Sequence, residues 1–171
     1  MQARRVAVVA IALVVATVAL VLGWPRHWLT IRQDDQLLAV YPGGKATQFS
    51  LRWRHSVEEE DWIETFKIVN SAVQIASTRF KTFGAGVPAD AGTRTTLEHG
   101  WVVMTGINRD VDPLTVQAAA AEQYRFRYED GPWRRLSQGP AAPILVFAAE
   151  TAPLIELWPT RLATVWRDVR D

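Results

Sequence analysis

The chain has 171 residues, 19 Lys and Arg against 18 Asp and Glu, no cysteine and eight tryptophans. That length holds one ordinary domain plus an appendage, and the lack of cysteine excludes disulfides, thiolate metal sites and thiol nucleophiles. Arg4 and Arg5 are the only charges in the first 24 residues, which leaves 17 basic against 18 acidic groups beyond them, and such a balance offers no uncompensated basic face to nucleic acid.

The run 6–22 is apolar throughout except for Thr17. As a helix it reaches about 26 Å, the short end of what a hydrocarbon core of about 30 Å requires. Val6, Leu13 and Leu22 are taken as membrane-spanning, and Trp24 carries the segment into the headgroup zone that indole rings prefer. A short positive flank stays in the cytoplasm, so the body of the chain is expected on the far side, with membrane lipid as the anchor's partner. The competing reading is a cleaved signal peptide, whose apolar stretch is shorter as a rule; here the best small-x-small site, Thr17-Val18-Ala19, falls inside the run. Residues 1–24 are therefore read as a signal anchor or transmembrane helix, and 25–171 as one exported, mostly β domain.

Beyond Pro25 the apolar residues alternate. The runs 28–33 and 36–41, divided by Asp34-Asp35, predict a hairpin, and Pro42-Gly43-Gly44 a turn after it. Phe49, Leu51 and Trp53 share one face of the next strand, opposite Ser50, Arg52 and Arg54. In 61–69, Trp62, Glu64, Phe66 and Ile68 fall on one face; Asn70-Ser71 turns the chain into 72–80. Further strands are expected at 101–105, 114–118, 123–128 and 144–148, with a helical turn as the alternative for 118–121. Short strands so spaced predict an all-β fold, an antiparallel sandwich or barrel, since βαβ units would need helices between them. In the tail, Thr160 as N-cap and the stripe Leu162, Val165, Trp166 and Val169 predict a short C-terminal helix.

The densest polar cluster runs from Arg54 through His55 and Ser56 to Glu58, Glu59, Glu60 and Asp61. Such a cluster suits a charged turn, a hard cation held by Glu58, Glu60 and Asp61, or an acid–base pair around His55. Neighbours on an extended chain point apart, so His55 and Ser56 do not form a nucleophile–base pair merely by adjacency. A second feature, F-K-T-F-G-A-G-V-P over 80–88, places Phe83, Gly84 and Gly86 in a tight turn or a close backbone approach. Gly84, Gly86 and Ala89 match the spacing of a dinucleotide-binding loop, but Pro88, Asp90 and Gly92 stand where that motif needs a helix. His27 and His99 are isolated, no zinc-enzyme spacing, phosphate loop or nucleophile elbow occurs, and no cofactor is expected. Arg109, in Asn108-Arg109-Asp110, is a candidate for positioning an anion.

Taken together, the His55-Ser56-Val57-Glu58 run with Glu64 a few residues on, and the F-G-A-G-x-P run about 25 residues downstream, resemble the domain of unknown function 1850 family. The chain departs from that family's pattern at Glu59 and Asp61, where a lysine and then a proline are typical. The resemblance implies a small bacterial protein with an N-terminal apolar segment, in the inner membrane with its body in the periplasm, encoded beside TAXI-type TRAP transporters. It implies an accessory role in solute uptake, with the transporter's permease or substrate-binding subunit as partner and no established activity. Were the motifs to form a site, His55, Ser56, Glu58, Glu64, Phe83, Gly84 and Gly86 would carry it. The expectation is a membrane-anchored periplasmic accessory or binding module. The alternatives are a small-ligand or metal-binding domain and, less favoured, a hydrolase using His55.

Overall fold

The structure, a computed structural model, describes residues 2–45, 47–84, 91–137 and 142–157. Gly86 and the expected C-terminal helix lie outside them. Helix α1 (Gln2–Gly23) has 22 residues, reaches about 33 Å and buries none of them against the rest of the chain. It has the length and apolarity of a membrane span, which anchors and signal sequences share. Val6, Leu13 and Leu22 lie on it. Trp24 does not: it follows the helix's last residue, because Pro25 disfavours the α conformation in the residue before it and opens a strand.

Among the described residues eleven strands follow: β1 (Pro25–Gln33), β2 (Gln36–Pro42), β3 (Gln48–Arg54), β4 (Asp61–Val69), β5 (Ala72–Phe80), β6 (Arg94–Glu98), β7 (Trp101–Asp110), β8 (Leu114–Gln117), β9 (Arg125–Tyr128), β10 (Arg134–Arg135) and β11 (Ile144–Pro153). They make two antiparallel sheets, one of four strands in the order β2-β1-β11-β8 and one of seven in the order β10-β9-β3-β4-β5-β7-β6. Of sandwich and barrel, the fold is the sandwich. Three hairpins close on two residues with positive φ, Asp34-Asp35, Asn70-Ser71 and His99-Gly100, which is the backbone sense that suits twisted strands.

Several strands depart from expectation, among them the short β10, which is not among the expected strands, and β11, which runs on past 148 to Pro153. Strand β6 is exposed along most of its length, so it carries no inward stripe by which alternation could find it. Strand β7 continues past Thr105 to Asp110 through a bulged stretch in which Gly106 and Asn108 take positive φ. The strand expected at 123–128 begins only at Arg125, since Gln123 sits in the left-handed region with φ 53°.

The core lies between the sheets. Phe49 is its centre, with ring centroids 5.0 Å from Phe66, 5.6 Å from Phe147 and 5.9 Å from Phe126. Leu29, Ile31, Leu51, Val73 and Leu145 fill the space around it. Such aromatic contacts contribute about 0.5–1.5 kcal/mol each beyond the area they bury. A smaller cluster of Trp62, Phe80, Val102 and Met104 extends the core toward the end of the sandwich farther from α1. Asp112 joins the layers: its Oδ1 accepts hydrogen bonds from Val73 N on β5 at 3.2 Å and from Ala149 N on β11 at 2.9 Å.

Candidate functional site

The β3–β4 loop and the segment after β5 meet at that far end of the sandwich. Strand pairing forces the meeting, because Arg54 opposes Asp61 across the loop while Ile63 opposes Arg79 on the other side of β4. Within the loop, His55 N donates to Glu60 O at 2.8 Å and Glu59 N to His55 O at 2.9 Å, with Glu59 at φ 54°. This turn brings the His55 ring and the Glu58 carboxylate together, Nδ1 against the largely buried Oε2. Val57 N also approaches Nδ1, but at 3.4 Å it does not compete. The imidazole stacks on Trp62 at 5.3 Å, and Trp62 donates from Nε1 to Thr78 Oγ1 at 2.7 Å.

The two sequence motifs touch here. A methyl group placed on Gly84 would lie 1.5 Å from Glu58 Oε1, so only glycine admits the carboxylate at that position. Thr82 Oγ1 donates to Glu60 Oε2 at 2.6 Å, a second tie between the same segments. Phe83 is exposed and packs edge-on against Phe80. Ser56 is exposed as well, and its hydroxyl makes no hydrogen bond to His55. The cavity among His55, Glu58, Trp62, Phe80 and Thr82 measures about 10 Å³, room for one water and no substrate.

The acidic run does not converge. Glu58 meets His55, Glu60 accepts from Thr82, and Asp61 pairs with Arg52 on β3. Among the described residues no group of three His, Cys, Asp or Glu side chains could hold a metal ion.

Glu64 belongs elsewhere. On β4 it lies between Leu51 of β3 and Thr78 of β5 in the inward-facing row, and its side chain opens into a cleft of about 400 Å³ between the sheets. Leu51, Trp53, Leu114, Val116 and Tyr124 give the cleft apolar walls; Glu64, Glu122, Thr115 and Gln117 give it polar groups. Trp53 stacks on Tyr124 at 5.4 Å and on Trp62 at 5.6 Å, so one aromatic row runs from the cleft to the ring beneath His55. Burial pushes the Glu64 carboxyl up to about 7, with the guanidinium of Arg109 countering part of the rise. Burial also pushes the Tyr124 hydroxyl up to about 12, aided by the charges of Glu122 and Glu64. A carboxyl that titrates near neutrality inside a walled cleft of this size has the character of a ligand site or an acid–base group.

The residues singled out in the sequence thus divide into two places. His55, Glu58 and Gly84 form a closed corner, whereas Glu64 lines the cleft and feels the charge of Arg109, which is exposed on β7. Trp53 and Tyr124 fell in predicted strands and Glu122 in none, but none of the three was marked as a site residue, because nothing in their local pattern shows the strand and loop that face them. Glu64 did carry a sequence signal, as the acid in the apolar stripe Trp62, Phe66 and Ile68.

The model of the domain of unknown function 1850 (DUF1850) matches residues 49–133, a stretch that holds the corner and all of the cleft's lining. No curated protein and no solved structure matches the chain.

Proposed function

Residues 49–133 belong to the domain of unknown function 1850 family, and on that premise we propose that the chain is a membrane-anchored periplasmic binding module working beside a TRAP-type solute transporter. The observation that carries the reading is the join between α1 and β1. An apolar helix with no buried residue runs within two residues into a strand paired with β2 and β11, so the helix holds the sandwich at the bilayer surface. Confinement to the same membrane raises the effective concentration of the sandwich near a membrane partner without any strong contact. Orientation follows from Arg4 and Arg5, which keep the N-terminus in the cytoplasm. The test is purification of the tagged full chain in mild detergent. Recovery of a multi-span permease or its substrate-binding subunit is expected; recovery of neither, under conditions that preserve other transporter complexes, overturns the reading.

The cleft supports a narrower version, in which the module itself holds a small ligand. A volume of about 400 Å³ with aromatic walls falls within the range of small-molecule sites. Hydrolysis at His55 is disfavoured on geometry: Glu58 meets Nδ1 as an orienting carboxylate would, but Ser56 does not reach the ring, and the adjoining space among the described residues admits one water.

A further inference from the structure

The solvent face of the seven-stranded sheet carries an arrangement that the cleft does not explain. Strand register places Arg135, Arg125, Arg52, Ile63 and Arg79 side by side in one row across β10, β9, β3, β4 and β5. The parallel row two residues away reads Arg127, Ser50, Thr65, Ser77, Thr105 and Arg94 across β9, β3, β4, β5, β7 and β6. Hydroxyl-bearing side chains therefore make a floor between arginines, with Ser50 buried and within 3.1 Å of Thr65 Oγ1. Arginine directly opposite arginine, as at Arg52 and Arg125 or Arg125 and Arg135, is a destabilising pair in a sheet.

Little offsets that charge. Asp61 pairs with Arg52, and Glu98 lies near Arg79. Arg127 stacks on Trp133 at 4.7 Å and Arg79 on Trp101 at 5.3 Å, contacts that hold the guanidinium planes over the face. Arg127 Nε is buried and has no hydrogen-bond acceptor among the described residues. Arg79 feels both Arg127 and Arg52, and burial with these two charges lowers its affinity for the proton. A fixed, partly dehydrated guanidinium with a donor to spare is poised to bind an oxyanion, whose oxygens match the donor fork.

We propose that Arg52, Arg79 and Arg127, over the Ser50–Thr65–Ser77 floor, form a binding site for a doubly charged oxyanion on the outer face of the seven-stranded sheet. Two negative charges suit three guanidiniums of which Asp61 pairs with one and Glu98 offsets part of another. The ligand chemistry is that of a phosphate monoester or a dicarboxylate, and this site is separate from the Glu64 cleft on the opposite face.

The test uses the full chain in detergent, titrated with inorganic phosphate and with succinate, against acetate and sodium chloride at matched ionic strength. Saturable binding of one phosphate or one succinate per chain is expected, with a rise in melting temperature that acetate and chloride do not reproduce. Preference for phosphate indicates a single tetrahedral group, and preference for succinate two spaced carboxylates. Arg79→Gln and Arg127→Gln each weaken binding by about tenfold or more, while Arg26→Gln at the α1 end leaves it unchanged. Arg79→Gln by itself leaves the melting temperature of the ligand-free chain near its starting value, since relief of repulsion from Arg52 and Arg127 offsets the lost Trp101 stack. It also serves if Arg127→Gln, which loses the Trp133 stack, folds poorly. A response equal for all four salts, or one that survives Arg79→Gln undiminished, overturns the proposal.

Discussion

The corner and the cleft share β4 and have opposite characters. At the corner, the Glu58 carboxylate lies against the His55 ring, Gly84 closes over the carboxylate, and the remaining space holds one water. In the cleft, Glu64 faces about 400 Å³ between two aromatic side chains and is held back from ionising. The corner carries the residues that are most recognisable in the sequence, while the cleft carries the chemistry most open to a ligand. A motif can be distinctive because two segments approach closely, as where the Glu58 carboxylate lies against Gly84, and the corner is a case of that kind. It fixes the loop that starts β4, and β4 delivers Glu64 into the cleft.

The largest effect expected from this contrast concerns Glu64. Its carboxyl ionises at about 7 in the folded chain and near 4.5 when unfolded. A raised pKa means that the folded state binds the proton more tightly, so the contribution is fully present below about 4.5 and is lost as pH climbs through about 7. Glu64→Gln, which cannot ionise, should leave stability unchanged at pH 4 and increase it by up to ~3 kcal/mol at pH 8. Denaturant melts at the two pH values check this. An equal change at both would show that Glu64 is not a buried titrating group, and the contrast between the sites would fail.

Next comes Gly84→Ala. The added methyl meets Glu58 Oε1, so the carboxylate must leave His55 or the segment must move, at about 1–3 kcal/mol. Thermal unfolding of the single variant and of Gly84→Ala with Glu58→Ala gives the coupling; a double variant no more stable than the additive sum would break the link between the motifs. The cleft depends on the spacing of the layers, which Asp112 helps to set. Asp112→Ala leaves the N–H groups of Val73 and Ala149 without that acceptor and should cost about 1–2 kcal/mol, with faster amide exchange at both positions. The smallest effect is expected at Glu150. Burial acts to raise its carboxyl, but hydrogen bonds from Arg32 and Thr30 outweigh this and hold it below the usual range. That stability is present at neutral pH and is lost as pH falls through the depressed value. Since the pair is near a third exposed, Glu150→Gln should cost less than about 1 kcal/mol at pH 7, and nothing in strong acid.

Alternation made β3, β4 and β5 legible, because each has one face in the core and the other toward solvent. It failed for β6, where both faces are largely exposed, and for the far half of β7, where the bulge at Gly106 and Asn108 breaks the period. The same local rule found Glu64 and could not find its surroundings, since Trp53, Tyr124 and Val116 come from three separate elements.

By itself the sequence determined the apolar helix, the all-β body, the family and the two motifs, all of which are written in neighbouring residues and their periodicity. Only tertiary structure decided that His55–Glu58 and Gly84 close on each other, that Glu64 stands apart from them in a cleft, and that arginines from β3, β5 and β9 share one face. The physical reason is register: which residues lie side by side across a sheet depends on pairing between distant segments, and no local pattern encodes it.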